Sequence, residues 1–143
     1  MIIAPEPPYD SAEQAEKAFY AAFEARNIEI MRAVWSHRED ALCVHPMGQP
    51  LIGWPDIERS WQAIFDGIGE ARFSLSDLRV YGDDRVSVRY VHENIHHGPG
   101  YSGLSTVLAT NVYRLENDGW RMVSHHASPG GVVNEPDGER PVH

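Results

Sequence analysis

The chain has 143 residues, 42% of them hydrophobic, and a net charge of -9 at neutral pH. That length forms one ordinary domain with its own core, and 12 scattered Lys and Arg residues against 21 acidic ones exclude a basic face for nucleic acid or anionic lipid. No apolar run approaches the roughly 20 residues that cross a bilayer, the single cysteine, Cys43, makes no internal disulfide, and Met1 to Asp10 lacks the basic start and apolar stretch of a secretory signal, so a cytoplasmic protein is expected.

Residues 1–10 read as an N-terminal arm, because Pro5, Pro7 and Pro8 disfavour regular structure until Asp10 and Ser11 offer a helix cap. The first helix follows, with Ala15, Ala18, Phe19, Ala22 and Phe23 on one face and Glu13, Glu16, Lys17 and Glu24 mainly off it. Ile28, Met31, Val34 and Trp35 suggest a short second helix, and Ala41 to His45 a brief strand. Gly53 and Pro55 open a third helix, since proline is tolerated in a first turn; its face is Ile57, Trp61, Ile64 and Phe65, and Gly67 and Gly69 end it.

The period then changes. Segments 73–81, 85–95, 103–115 and 120–128 read as strands, and Gly82-Asp83-Asp84 and Asn117-Asp118-Gly119 are turn sequences that join them as an antiparallel meander. Helices followed by such a run predict an α+β domain over residues 11–128, three helices packed on one curved antiparallel sheet with a cavity beneath them. Residues 129–143, rich in Pro, Gly and charge, read as a loosely held tail. Alternation puts Val86, Val88, Tyr90, His92 and Asn94 on one face of their strand, and Trp120, Met122, Ser124, His126 and Ser128 on one face of the last. One β-bulge inverts such a division and exchanges His126 for His125.

The order of these elements, with His45-Pro46-Met47-Gly48 ahead of a glycine-initiated helix and Asn111-Val112-Tyr113-Arg114 before Gly119-Trp120-Arg121-Met122-Val123, resembles the nuclear transport factor 2-like superfamily, in its SnoaL-like and ketosteroid-isomerase-like branch, over Ser11 to Ser128. The resemblance implies a cone-shaped fold with a deep pocket, and a homodimer joined through the outer sheet face. It places His45 where the isomerase has its proton-shuttling aspartate and Asn111 where it has the protonated aspartate of the oxyanion hole. Phe19, with Tyr20 beside it, falls at the oxyanion tyrosine, and Trp61 at a supporting tyrosine. The isomerase needs a tyrosine and a neutral carboxylic acid, and Phe19 donates no hydrogen bond, so strong isomerase activity is not expected. Asn111 retains an amide donor, and an imidazole such as that of His45 titrates near pH ~6.5 before any environmental shift, which leaves a weaker acid and base pair.

The expected catalytic groups are therefore His45 and Asn111, with Phe19, Tyr20, Trp35, Trp61, Tyr90, His92, Asn94, Ser124 and His126 as ligand contacts. His45 reads equally as a hydrogen-bonded structural histidine, and the aromatics equally as core. Eight histidines raise a metal reading, but adjacent strand histidines point to opposite sides, and His92, His96 and His97 lack a companion acid at a recognised interval. No metal or cofactor is expected: no phosphate loop or dinucleotide fingerprint occurs, and Cys43 lies in an apolar run unsuited to a thiolate. Two functions use one pocket. The first is isomerisation, dehydration or cyclisation of a carbonyl-containing apolar molecule, with His45 as acid and base; the second is a noncatalytic ligand-binding or dimeric assembly domain.

Overall fold

The computed structural model describes residues 1–130, so most of the expected tail lies outside the described residues. Helix α1 (Ala12–Ala25) starts where Ser11 accepts the Gln14 N–H at 3.1 Å, and α2 (Ile28–Val34) where Asn27 accepts that of Ile30. Both caps satisfy amides that the first turn leaves orphaned. Helix α3 (Trp54–Gly67) has no side-chain cap; Gly53, at φ 88, makes the turn into it and Pro55 sits in its first turn. Strands β1 (Leu42–Val44), β2 (Leu51–Ile52), β3 (Ala71–Gly82), β4 (Val86–His97), β5 (Gly103–Glu116) and β6 (Gly119–Pro129) form one sheet in the order β2-β1-β6-β5-β4-β3.

The α+β architecture matches the expectation in its helices and long strands, with two differences. The sheet is mixed, because β1 runs parallel to β6, pairing Cys43 with His125. Strand β2 is a two-residue edge piece, too short for alternation to reveal. The N-terminal arm has no regular structure, yet Tyr9 is buried and its carbonyl accepts the Trp120 N–H at 2.9 Å.

The core lies between the helices and the inner sheet face. Phe19 and Trp61 meet edge-on at 5.5 Å, and Phe23 contacts Trp61 at 4.9 Å and Phe73 at 4.5 Å. Edge-to-face geometry suits the ring quadrupoles, and these rings occupy the space beneath the helices. The helical face of α1 is wider than its apolar spacing predicts. Glu16 and Glu24, expected to lie off it, are both buried. Glu16 is paired with Arg89 on β4 at 3.0 Å, and Glu24 accepts the Ile2 and Phe73 N–H groups at 2.7 and 2.9 Å. A carboxylate tolerates the interior when its oxygens are matched in this way.

Candidate functional site

Four buried side chains from four elements form a hydrogen-bonded chain across the inner sheet face. Tyr20 projects from α1, Glu93 from β4, Asn111 from β5 and His125 from β6, all at 1% exposure or less. His125 Nδ1 lies 2.6 Å from Asn111 Oδ1, Asn111 Nδ2 donates to the Tyr20 hydroxyl at 2.8 Å, and that hydroxyl donates to Glu93 Oε2 at 2.6 Å. With the amide nitrogen of Asn111 committed to Tyr20, its oxygen faces His125, so the histidine carries its proton on Nδ1 and donates. Every bond in the chain then points toward the Glu93 carboxyl.

Burial sets the protonation of both ends. It raises the Glu93 carboxyl from 4.5 to about 7, against the lowering effect of the Tyr20 hydrogen bond, which leaves this acid part-protonated near neutrality. It lowers His125 from 6.5 to about 3, helped by the positive forms of His45 and His126 nearby, so this imidazole stays neutral. Burial also raises the Tyr20 hydroxyl well above 10.0, and the Glu93 charge adds to it; Tyr20 is a donor and not a phenolate. The indole N–H of Trp61 and the Tyr113 hydroxyl are buried without hydrogen-bond partners among the described residues, an excess of polarity unusual for a core built only for packing.

His45 lies just beyond β1, half-buried, with its ring edge-on to Trp61 at 4.7 Å and its centroid 6.2 Å from that of His125. The Ser60 hydroxyl donates to the Ile57 carbonyl at 2.7 Å, so at 2.9 Å His45 Nε2 is the donor to Ser60 Oγ. Burial lowers the His45 pKa. Cys43 Sγ is 3.5 Å from the same nitrogen, but burial raises the thiol far above its ordinary range, so the pair is no nucleophilic dyad.

The expected ligand contacts divide between the two faces. Phe19, Tyr20, Trp35 and Trp61 are fully buried on the helix side. Tyr90, His92 and Asn94 face the other way, because Arg89, Val91 and Glu93 are the buried alternates of β4. Ser124 and His126 are likewise on the outer face. The register slips between Val112 and Tyr113, whose partners are Ser124 and Met122, so Val123 is an extra residue. Trp120 and Met122 precede it on the inner side, while His125 and Ala127 take that side after it. His125 and Glu93 are thus inner-face groups absent from the expected set. Glu93 stands in the sequence only as an alternate of His92 and Asn94, and His125 is indicated only through the bulge.

Concavities are walled by described residues at four places, and none of these has His45 in its wall. One of about 320 Å³ lies between α1 and β3, walled by Ile2, Lys17, Tyr20, Phe73 and Leu75 among others. It is the one that reaches the hydrogen-bonded chain, through Tyr20. A second, of about 520 Å³, is on the outer sheet face around Tyr90 and His126. The other two flank Tyr101. No described helix is long and apolar enough to cross a membrane.

Three helices on a curved mixed sheet, with an ionisable chain between them, define a nuclear transport factor 2-like domain. The sequence model of the SnoaL-like domain family matches residues 12–131, and the chain belongs to that family. A structure from Thiobacillus denitrificans, provisionally named a calcium/calmodulin-dependent protein kinase type II association domain, is 41% identical with a TM-score of 0.81, covering 87% of this chain and 98% of its own. A second, from Streptomyces avermitilis, provisionally named a dehydratase of the nuclear transport factor 2-like family, is 30% identical with a TM-score of 0.72, covering 84% and 94%. Among curated proteins, the F-box protein SKIP8 of Arabidopsis thaliana is 26% identical over 112 residues, 77% of this chain; the chain spans 46% of that relative's length.

Proposed function

We propose that the domain is a SnoaL-like pocket protein for a small, mainly apolar molecule bearing a carbonyl oxygen, and that Tyr20 and Glu93 are the pair that meets that oxygen. The observation that carries this reading is the 2.6 Å Tyr20–Glu93 bond, in which a carboxyl raised by burial to about 7 backs the hydroxyl of Tyr20, a residue in the wall of a 320 Å³ concavity. That volume is at the lower end of the range for small-molecule pockets, about 300–1,000 Å³. Isomerisation, dehydration and cyclisation each need a proton delivered to or withdrawn from such a substrate, and an acid poised near the working pH does so best. Asn111 and His125 hold Tyr20 in line, and His45 meets the chain only through His125 and Trp61. A thermal-shift screen of carbonyl, aromatic and steroid-like compounds tests the proposal. Compounds that stabilise the wild type are expected to lose most of their effect with Tyr20→Phe and Glu93→Gln and to keep it with His45→Ala. Loss with His45→Ala alone moves the proton chemistry to the imidazole.

A second reading is self-association. It is supported by the association-domain name of the 41% identical structure and by apolar side chains left exposed at Tyr81, Val86 and Leu104. Light scattering at micromolar concentration is expected to give twice the 16.1 kDa chain mass. A 16.1 kDa species alone contradicts it.

A further inference from the structure

We propose that Ile2 is the residue that limits how long a molecule the α1–β3 concavity accepts, so that the site takes a short-chain or single-ring carbonyl compound and turns away a larger one. This rests on the reading of that concavity as the ligand site. Ile2 stands in its wall with Tyr20 and Phe73 and packs, half-buried, against the core cluster. Its chain neighbours do neither: Met1 is 87% and Ile3 69% exposed. One side chain of the arm's first three is turned inward.

The arm reaches this place because it is fastened at both ends. Tyr9, buried and accepting the Trp120 N–H at 2.9 Å, fixes its root beside the start of α1. At the other end the Ile2 N–H donates to Glu24 Oε1 at 2.7 Å, near the close of the same helix. From Ala12 to Glu24 a helix rises about 18 Å, and the chain from Ile2 to Tyr9 spans at most about 25 Å when extended. The arm therefore runs back along α1 with little slack, and Pro5, Pro7 and Pro8 restrict its backbone further.

Glu24 is the latch. Its second oxygen accepts the Phe73 N–H at 2.9 Å, so one buried carboxylate joins the arm, α1 and β3, the three elements that wall the concavity. Ile2 cannot swing outward without stranding that oxygen. Glu24 lies one helical turn beyond Tyr20, which puts Ile2 at one end of the concavity and Glu13 and Lys17, from the preceding turns, at the other. A ligand whose carbonyl meets Tyr20 directs its apolar part away from those charges, toward Ile2, Phe73 and Leu75. The volume of about 320 Å³ holds roughly ten non-hydrogen atoms at the liquid-water share of ~30 Å³ each, too few for a steroid nucleus.

The test is the melting temperature of the whole protein with straight-chain methyl ketones of increasing length, each series converted to an apparent Kd. Affinity is expected to rise with every added methylene until the chain meets Ile2 and then to fall. Ile2→Ala is expected to move the optimum about two or three carbons longer and to strengthen binding of the longest ketones at least ~10-fold; Ile2→Val moves it less. Ile3→Ala, the same truncation at an exposed neighbour, is expected to leave the optimum in place. In protein with labelled isoleucine methyl groups, the Ile2 resonance is expected to shift on ligand binding and the Ile3 resonance to stay. An optimum that Ile2→Ala leaves unmoved, or that Ile3→Ala moves equally, overturns the proposal; if Tyr20→Phe still abolishes the stabilisation, the reading of the site survives that result. Failure of every ketone to stabilise the wild type overturns both.

Discussion

Asn111→Ala is expected to lower the free energy of unfolding by about 3 kcal/mol or more, read as a fall in the urea midpoint at unchanged slope. Asn111 is fully buried and serves two partners at once, accepting from His125 and donating to Tyr20. Truncation strands both without replacement, each at about 1–3 kcal/mol, and adds a small cavity. The charge on Glu93 makes the loss larger, since the Tyr20 hydroxyl that faces it is no longer held in place. Tyr20→Phe in the same background should add less than it costs alone, because the group Asn111 satisfied is then gone even though Glu93 loses its donor; near-additive losses from the two substitutions would mean that they do not belong to one chain. A loss below about 1 kcal/mol for Asn111→Ala alone would mean that water reaches the stranded groups.

The second large effect is a pH dependence located in one carboxyl. Glu93 is raised from 4.5 to about 7 by burial, so the folded state binds its proton more tightly than the unfolded chain does. Its contribution is fully present below pH 4.5 and is lost as pH rises through about 7, a swing of about 3 kcal/mol. Glu93→Gln keeps an acceptor for Tyr20 and cannot ionise. The variant should therefore match the wild type near pH 4.5 and exceed its stability by about 3 kcal/mol at pH 8. His125 works in the opposite sense, since its lowered pKa costs stability as pH falls below 6.5, but it is common to both proteins and cancels in the difference. Equal pH profiles for the two proteins would place the Glu93 carboxyl in contact with solvent.

Much of the fold was legible in the chain itself, for reasons particular residues make plain. Ser11 and Asn27 cap helices because a short oxygen-bearing side chain is what a first turn lacks. Ile57, Trp61 and Phe65 fall on one side of α3 because the period of the helix is 3.6. Asn117-Asp118-Gly119 turns β5 into β6, with Gly119 at φ 118. The candidate site was legible in part: Asn111 and Tyr20 belong to the buried chain, whereas Tyr90, His92, Asn94, Ser124 and His126, expected beside them as ligand contacts, lie on the outer sheet face.

Local chemistry determined the helices, the turns and the long strands, because caps, periodicity and glycine conformations act over a few neighbouring residues. Only the tertiary structure decided that His125, and not His126, looks inward, that Glu16 and Glu93 are buried, and that β1 lies parallel to β6. Each of these depends on a partner far along the chain: Val112 and Tyr113 for the bulge, Arg89 for Glu16 and Tyr20 for Glu93. A charged residue in a strand carries no mark of whether such a partner will be there, and one extra residue in a ladder turns over every side chain beyond it.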